Sequence, residues 1–77
     1  MTQLPTLTKE QLSQARVIAK GRRIRDWKRL VEQYGGLGKN WVKKSSSPFF
    51  WQDRLIEIHW YEQHGIGRFE MKMKRLY

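Results

Sequence analysis

Apolar side chains in the first half of the chain recur every three or four residues, which is the spacing of an amphipathic helix. Thr8 and Gln11 have the types and spacing of a capping box just before this pattern. Leu7 and Leu12 occupy the two positions of a hydrophobic staple. These features predict a first helix at about residues 8–20.

Glycines divide and end the helical pattern. Gly21 interrupts it, and Gly35-Gly36 supplies a helix C-terminal signal. We therefore predict a second helix at about residues 22–34, with one kinked helix as the alternative. Its apolar stripe consists of Ile24, Trp27, Leu30, Val31 and Tyr34.

In the second half of the chain, apolar and polar residues alternate, as in half-buried strands. One strand is predicted at 54–62, and a second follows the glycines of a hairpin turn. With a two-residue turn at His64-Gly65, opposed residues have numbers that sum to 129. That register pairs Trp60 with Phe69, Ile58 with Met71 and Ile56 with Met73 on one face, and Tyr61 with Arg68, His59 with Glu70 and Glu57 with Lys72 on the other.

The segment Trp41–Trp51 is predicted to add one or two strands. Pro48 favours an edge or bulged strand there, because proline cannot donate to a sheet ladder. Gln52-Asp53 is the predicted turn into the next strand. The register that this turn sets places Ser46 opposite His59 and Lys44 opposite Tyr61.

These elements predict an α+β fold in a single domain, residues 1–77. Two N-terminal helices, within about 8–34, would pack on one face of a three- to four-stranded antiparallel sheet at about 41–76. If both helices cover the apolar face, the polar face of the sheet is open to a ligand.

Composition narrows the function classes. The 77 residues include 16 Lys or Arg and 7 Asp or Glu, a net charge of +9, with two His and no Cys. Disulfides are excluded, and we expect no metal and no cofactor. We expect a soluble, cytoplasmic monomer, because no apolar run approaches the roughly 18 residues of a membrane span and the N-terminus lacks signal-peptide features. The excess positive charge predicts a polyanionic partner.

The predicted polar face carries the strongest candidate chemistry. Histidine is the side-chain type suited to proton transfer at neutral pH, and Glu70 would orient His59 or act as the complementary acid or base. Tyr61 would position the substrate or share in proton transfer. Such groups, surrounded by cations, suit metal-independent RNA cleavage. The alternative is that they are surface ion pairs. The proposed phosphate and transition-state groups are Lys44, Ser46, Arg68, Lys72 and Lys74.

Two further features suit a nucleic acid. Basic residues are dense along the predicted helices, where Arg22, Arg23 and Arg25 would contact phosphates, or would only solvate a helix face. Phe49-Phe50-Trp51 is a run of three aromatic residues, so at least one must point outward, where it could stack on a base.

Helices followed by an antiparallel meander with a basic, His-containing face resemble small metal-independent ribonucleases of the barnase and RelE kind. The resemblance to C-terminal toxin domains of bacterial polymorphic and contact-dependent inhibition systems is more specific and spans about residues 30–75. It rests on Tyr34-Gly35-Gly36, Trp41-Val42-Lys43-Lys44-Ser45-Ser46, His59-Trp60-Tyr61-Glu62 and Gly67-Arg68-Phe69-Glu70-Met71-Lys72-Met73-Lys74.

This resemblance implies a toxin that cleaves RNA in the cytoplasm of a target cell. His59 would match the family's catalytic histidine, with Glu70 and Lys72 in the matching strand. An acidic immunity protein or antitoxin would neutralise it. Two other functions remain open from the residues alone: a noncatalytic RNA- or DNA-binding module, and a basic domain that binds an acidic protein.

Overall fold

The computed structural model describes residues 3–76, so Met1, Thr2 and Tyr77, which belong to the predicted domain 1–77, lie outside the described residues. Within this range the elements are helix α1 (Lys9–Ser13), strand β1 (Arg16–Lys20), a 3₁₀ turn (Gly21–Arg23), helix α2 (Trp27–Tyr34), a second 3₁₀ turn (Gly38–Asn40), and strands β2 (Val42–Ser45), β3 (Phe49–Trp51), β4 (Arg54–Gln63) and β5 (Gly67–Arg75).

The predicted α+β fold, with two N-terminal helices packed on one face of the sheet, is wrong. The capping box does form: the Thr8 amide donates to the Gln11 side chain at 2.9 Å, and the Gln11 amide donates to the Thr8 hydroxyl at 3.1 Å. However, α1 ends at Ser13, and residues 16–20 form a strand that contains the β-branched pair Val17-Ile18. The described chain is therefore mostly β-sheet, with one helix longer than five residues.

Strand β4 is the centre of a five-stranded antiparallel sheet. β5 lies along one of its edges. β2 and β3 share the other edge, where β2 pairs with residues 59–62 and β3 pairs with residues 54–56. β1 pairs with the outer side of β2. The sheet thus has more strands than the three or four that the sequence predicted.

The predicted pairing of β4 with β5 is also wrong. The loop contains three residues, because Gln63 lies opposite Gly67, and the Ile66 amide donates to the Gln63 carbonyl at 3.0 Å. A bulge then adds one more residue to β5, next to Glu70, whose φ is 61°. As a result His59 faces Lys72, Glu57 faces Lys74, Ile58 faces Met73 and Tyr61 faces Phe69.

The other predicted register holds on one side of Pro48 and fails on the other. The two-residue turn at Gln52-Asp53 is confirmed, with φ values of 50° and 61° that are typical of a type I′ turn. Between β2 and β4 the pairing is shifted by one residue from the prediction. Ser45, not Ser46, faces His59, and Lys43, not Lys44, faces Tyr61.

The two helices contribute to separate apolar clusters on opposite faces of the sheet. Because side chains alternate along β4, Ile58 and Trp60 point to one face and Tyr61 points to the other. The first face packs against residues of the N-terminal segment and α1, including Leu12. The second face packs against an apolar cluster that includes Leu30 of α2. Further members of this cluster are Ile24, Trp27, Val31, Tyr34, Trp41 and Phe69.

The segment between α2 and β2 is held by side chains. The Gln63 amide group donates to the Leu37 carbonyl and accepts from the Leu37 amide, both at 3.1 Å. The Trp41 indole donates to the Gly35 carbonyl at 3.1 Å. These bonds fix α2 relative to the sheet. Neither α1 nor α2, the helices within residues 3–76, has the length and apolar character needed to cross a membrane.

Candidate functional site

The sheet face that carries His59 has two ends. At the first, α2 packs over Tyr61 and Phe69, and we call this the covered end. Farther along the same face lies a region that neither helix of residues 3–76 covers, which we call the open end. The cross-strand pairs and the alternation along β4 assign to the open end Arg16, Ser45, Glu57, His59, Lys72 and Lys74.

His59 is paired with Glu57 and not with the predicted partner Glu70. The two side chains lie on the same face because they are two residues apart in β4, and His59 Nε2 lies 3.0 Å from Glu57 Oε1. Arg16 Nη2 lies 2.7 Å from the other oxygen of the same carboxylate. The three side chains form a connected polar network across β1 and β4.

The hydrogen bond with His59 is the largest influence on the pKa of Glu57 and lowers it. Burial opposes this effect, and the bond from Arg16 adds to it, so the net pKa is below the usual glutamate value. The carboxylate is therefore ionised at neutral pH. An ionised carboxylate only accepts hydrogen bonds, so Nε2 of His59 carries the hydrogen in this pair.

The second ring nitrogen of His59, Nδ1, is buried and has no hydrogen-bond partner among residues 3–76. Only 17% of the His59 side chain is exposed. A proton exchanged with a ligand at the open end therefore passes through Nε2, the nitrogen that Glu57 holds.

Glu70 belongs to the covered end. Its carboxylate accepts from both terminal nitrogens of Arg29, at 2.7 and 2.9 Å, and from the Tyr34 hydroxyl at 2.8 Å. The bond from Arg29 is the main cause that lowers the pKa of Glu70, against the opposing effect of burial. The same carboxylate raises the pKa of Tyr34. Glu70 therefore joins β5 to α2.

A small cleft lies between the two ends. It has a volume of about 50 Å³, which is room for about three to five water-sized groups and too little to enclose a nucleotide. Burial raises the pKa of Tyr61, which therefore keeps its proton at neutral pH. The lining residues are Lys43, His59, Trp60, Tyr61, Glu70, Lys72 and Lys74.

The lysines of this cleft are available to an anion. Lys72 lies opposite His59, and Lys74 lies opposite Glu57. Lys43 reaches over the Tyr61 ring, with Nζ 5.7 Å from its centroid. Within residues 3–76, none of the three lysines forms a salt bridge with a carboxylate. The charge that surrounds His59 is thus mostly unneutralised.

Two predicted phosphate ligands lie on the opposite face of the sheet. Lys44 faces Trp60 and forms a salt bridge of 3.2 Å with Glu62. Arg68 lies 3.5 Å from the same carboxylate. Burial acts to raise the pKa of Glu62, but hydrogen bonds from Trp60 and Lys44 outweigh it, and the net pKa is lowered. Lys44 and Arg68 therefore do not contribute to the group around His59.

Ser46 has a structural position. Ser46 is fully buried, and its hydroxyl accepts a hydrogen bond of 2.9 Å from the Ile58 amide. The Ser46 amide donates to the Ile58 carbonyl, also at 2.9 Å. Ser46 thus completes the ladder along β4 in the gap between β2 and β3, and it is not available to a ligand.

The predicted basic helix is divided among several elements. Arg22 and Arg23 are exposed on the first 3₁₀ turn, and Arg25 is exposed just before α2. The Arg22 guanidinium lies 5.1 Å from the centroid of the Trp27 ring. These cations surround the start of α2 and do not form one continuous helical stripe.

Sequence reasoning placed Glu57 on the polar face without a role in the site, and it missed Arg16 and Lys43 as members of the site. The strand period alone places Glu57 beside His59, so that signal was present but was interpreted as a surface pair with Lys72. Arg16 was hidden because its segment was predicted to be helical. Lys43 was missed through the one-residue shift of β2.

No group of three or more His, Cys, Asp or Glu side chains within residues 3–76 could hold a metal ion. Comparisons with protein-family models, with curated protein sequences and with solved structures found no match to this chain. The resemblance to bacterial toxin domains therefore stays a prediction, and functional inference depends on the geometry of the site.

Proposed function

We propose that this protein binds RNA across the open end and cleaves it by acid–base chemistry at His59, without a metal ion. The observation that carries this proposal is the convergence of the Arg16–Glu57–His59 network with Lys43, Lys72 and Lys74 on one face. A lone surface ion pair would not explain why it is surrounded by three lysines that have no carboxylate partner within residues 3–76.

The proposed reaction uses the 2′-hydroxyl of RNA as the nucleophile. A base takes the hydroxyl proton, O2′ attacks phosphorus, the bond from phosphorus to O5′ breaks, and an acid returns a proton to O5′. In this scheme the ionised Glu57 carboxylate is the base, and the charged His59 ring gives the proton to O5′ through Nε2, since Nδ1 is buried. The proton taken by Glu57 then passes to Nε2 over their 3.0 Å hydrogen bond, which restores both groups. Glu57 holds the imidazole ring in position and stabilises its charged form, and Arg16 keeps Glu57 ionised.

The lysines would act on the phosphate. Lys72 is the nearest across the ladder to His59, so it is best placed to stabilise charge that develops on the phosphate oxygens. Lys43 and Lys74 would hold neighbouring phosphates, and Tyr61 would donate a hydrogen bond to the substrate. Glu70 would maintain the wall of the cleft and would not transfer a proton.

Cleavage of an end-labelled RNA in the presence of EDTA tests this mechanism. The parent protein should produce fragments that end in a 2′,3′-cyclic phosphate, and an RNA with 2′-deoxy nucleotides should stay intact. His59→Ala should lose about 10²–10⁴-fold in rate, the usual contribution of a general acid or base. Intact RNA with the parent, or cleavage that depends on added metal, would contradict the proposal.

The chain offers a matched control in its second histidine. His64 is exposed in the loop between β4 and β5, whereas the histidine bonded to Glu57 is His59. His64→Ala should therefore cleave at the parental rate. If His59→Ala and His64→Ala are equally active, His59 is not the proton-transfer residue.

Noncatalytic binding of RNA is a second candidate function, favoured by one observation. His59 is mostly buried and its accessible nitrogen is already engaged by Glu57, as in a structural hydrogen bond. In that case the parent protein should shift RNA in a gel and leave it intact. Either function is compatible with an acidic neutralising partner, which would bind the same lysines. If the protein cleaves RNA, we propose that it acts on the translation machinery of a target cell.

A further inference from the structure

Phe50 is more exposed than any other large apolar residue in the described part of the chain, at 76%. Its neighbours Phe49 and Trp51 are partly buried against the cluster of Ile58 and Trp60. Alternation along β3 therefore places Phe50 on the opposite side from that cluster. A ring of this exposure presents a flat apolar face to a ligand.

Register places Phe50 on the same sheet face as His59. Phe50 lies opposite Leu55 in the ladder, and Leu55, Glu57 and His59 alternate along β4 onto one face. His59 follows Leu55 by four positions along β4, which corresponds to about 13 Å. Lys74 lies opposite Glu57 on β5, which is across β4 from Phe50.

The backbone holds Phe50 in place. β3 joins β4 through a two-residue turn in which Gln52 and Asp53 both have left-handed φ values, a geometry that matches the twist of a hairpin. The Leu76 amide donates to the Leu55 carbonyl at 3.1 Å and extends the ladder beyond β5 on the other edge. Because the backbone is already ordered in this way, binding of a flat ligand at Phe50 does not have to order the strand that carries it.

We infer that Phe50 is a stacking platform for an unpaired base of an RNA strand whose phosphates lie along Lys72 and Lys74. The substrate class is therefore single-stranded RNA, because bases within a duplex do not present a free face. This inference rests on the proposed binding of RNA at the open end, and it does not depend on cleavage. Cations along the backbone and an aromatic ring beneath a base are the usual elements of single-strand recognition.

Binding of a 2′-O-methyl oligonucleotide, which cannot be cleaved through its 2′ oxygen, tests the inference by fluorescence anisotropy. The strand is used alone and annealed to its complement. Phe50→Ala should weaken binding of the single strand about 5- to 150-fold, the range for loss of one stacked base. Binding of the duplex should change by less than twofold. The salt dependence of single-strand binding should be unchanged, because every lysine that neutralises a phosphate is still present.

Two variants complete the design. Phe50→Trp should bind the single strand within about threefold of the parent, because it restores a ring. Leu37→Ala removes another exposed apolar side chain, 56% exposed in the segment after α2, and should have no effect. Circular dichroism checks that each variant folds.

The outcomes separate this inference from the proposed function. A parent protein that binds neither strand overturns both. A parent that binds the single strand equally well with and without Phe50 overturns the stacking role alone. Equal weakening of single strand and duplex by Phe50→Ala also overturns it, and if an acidic protein partner loses affinity instead, Phe50 is a protein contact.

Discussion

The open and covered ends of the His59 face each contain a glutamate with a lowered pKa, yet the two carboxylates have different roles. Glu57 is held within the sheet by His59 and Arg16. Glu70 is held by Arg29 and Tyr34, so it connects the sheet to α2. A lowered pKa therefore does not distinguish the reactive carboxylate from the structural one here. The hydrogen-bond partners of each carboxylate do distinguish them.

Substitution of the two glutamates should give the largest difference between the ends. Glu57→Gln should lower the rate of RNA cleavage about 10²–10⁴-fold, because the neutral amide no longer stabilises the charged form of His59. Glu70→Gln should stay within about threefold of the parent. Initial rates on one labelled RNA measure both. Equal losses in the two variants would mean that the site extends over both ends.

Stability should show the reverse pattern. Leu30 is the fully buried residue of α2 at the covered end. Leu30→Ala should lower the free energy of unfolding by about 2–5 kcal/mol. Lys72 is exposed at the open end, and Lys72→Ala should change it by less than about 0.5 kcal/mol. Urea titration followed by circular dichroism compares them. A marginal effect of Leu30→Ala would show that α2 is not needed for the fold.

Acid should weaken the covered end through Glu70. Its pKa in the folded protein lies below the usual value of 4.5, so its contribution to stability is fully present above about pH 4.5 and is lost as pH falls through the folded pKa. Glu70→Gln should therefore lower Tm at pH 7 and reduce the further loss of Tm between pH 5 and pH 3. Thermal unfolding at several pH values measures this, and parallel curves for parent and variant would contradict it.

The smallest expected effect is a difference between the two faces of the sheet in how they contribute to the salt dependence of RNA binding. Removal of Lys72 and Lys74 together should reduce the salt slope of single-strand binding by about 0.7 for each phosphate that is no longer neutralised. Removal of Lys44 and Arg68 should leave the slope unchanged, because both lie on the other face with Glu62. The two double variants carry the same net charge, so a general charge effect would move both slopes equally.

Local signals in the sequence predicted local structure well. The capping box at Thr8 and Gln11 and the turn at Gln52-Asp53 are present in the structure. The helical spacing of Leu12, Ala15 and Ile18 was misleading, because Ile18 lies in an edge strand, at the irregularity between Val17 and Ala19. Pairing with β2 from about 25 residues away overrides a local helical preference there, and no window of the sequence contains that information.

The candidate site was predicted in part, for a related reason. The face that contains His59, Tyr61, Lys72 and Lys74 follows from strand alternation. Which residues lie opposite one another on this face depends on the number of residues in each turn and bulge. An error of one residue in that number shifts every later cross-strand pair. The third residue of the β4–β5 loop and the bulge beside Glu70 together exchanged Glu70 for Lys72 opposite His59.

The position of β4 at the centre of the sheet has a consequence for the order of folding. Its pairings with β3 and β5 close through loops of two and three residues, whereas β1 reaches β2 across a much longer stretch of chain. Because short loops close fastest, we expect residues 49–75 to form a three-stranded meander first. β1, β2 and α2 would then add to it, so His59 and Lys72 would be paired before Arg16 arrives to complete the network.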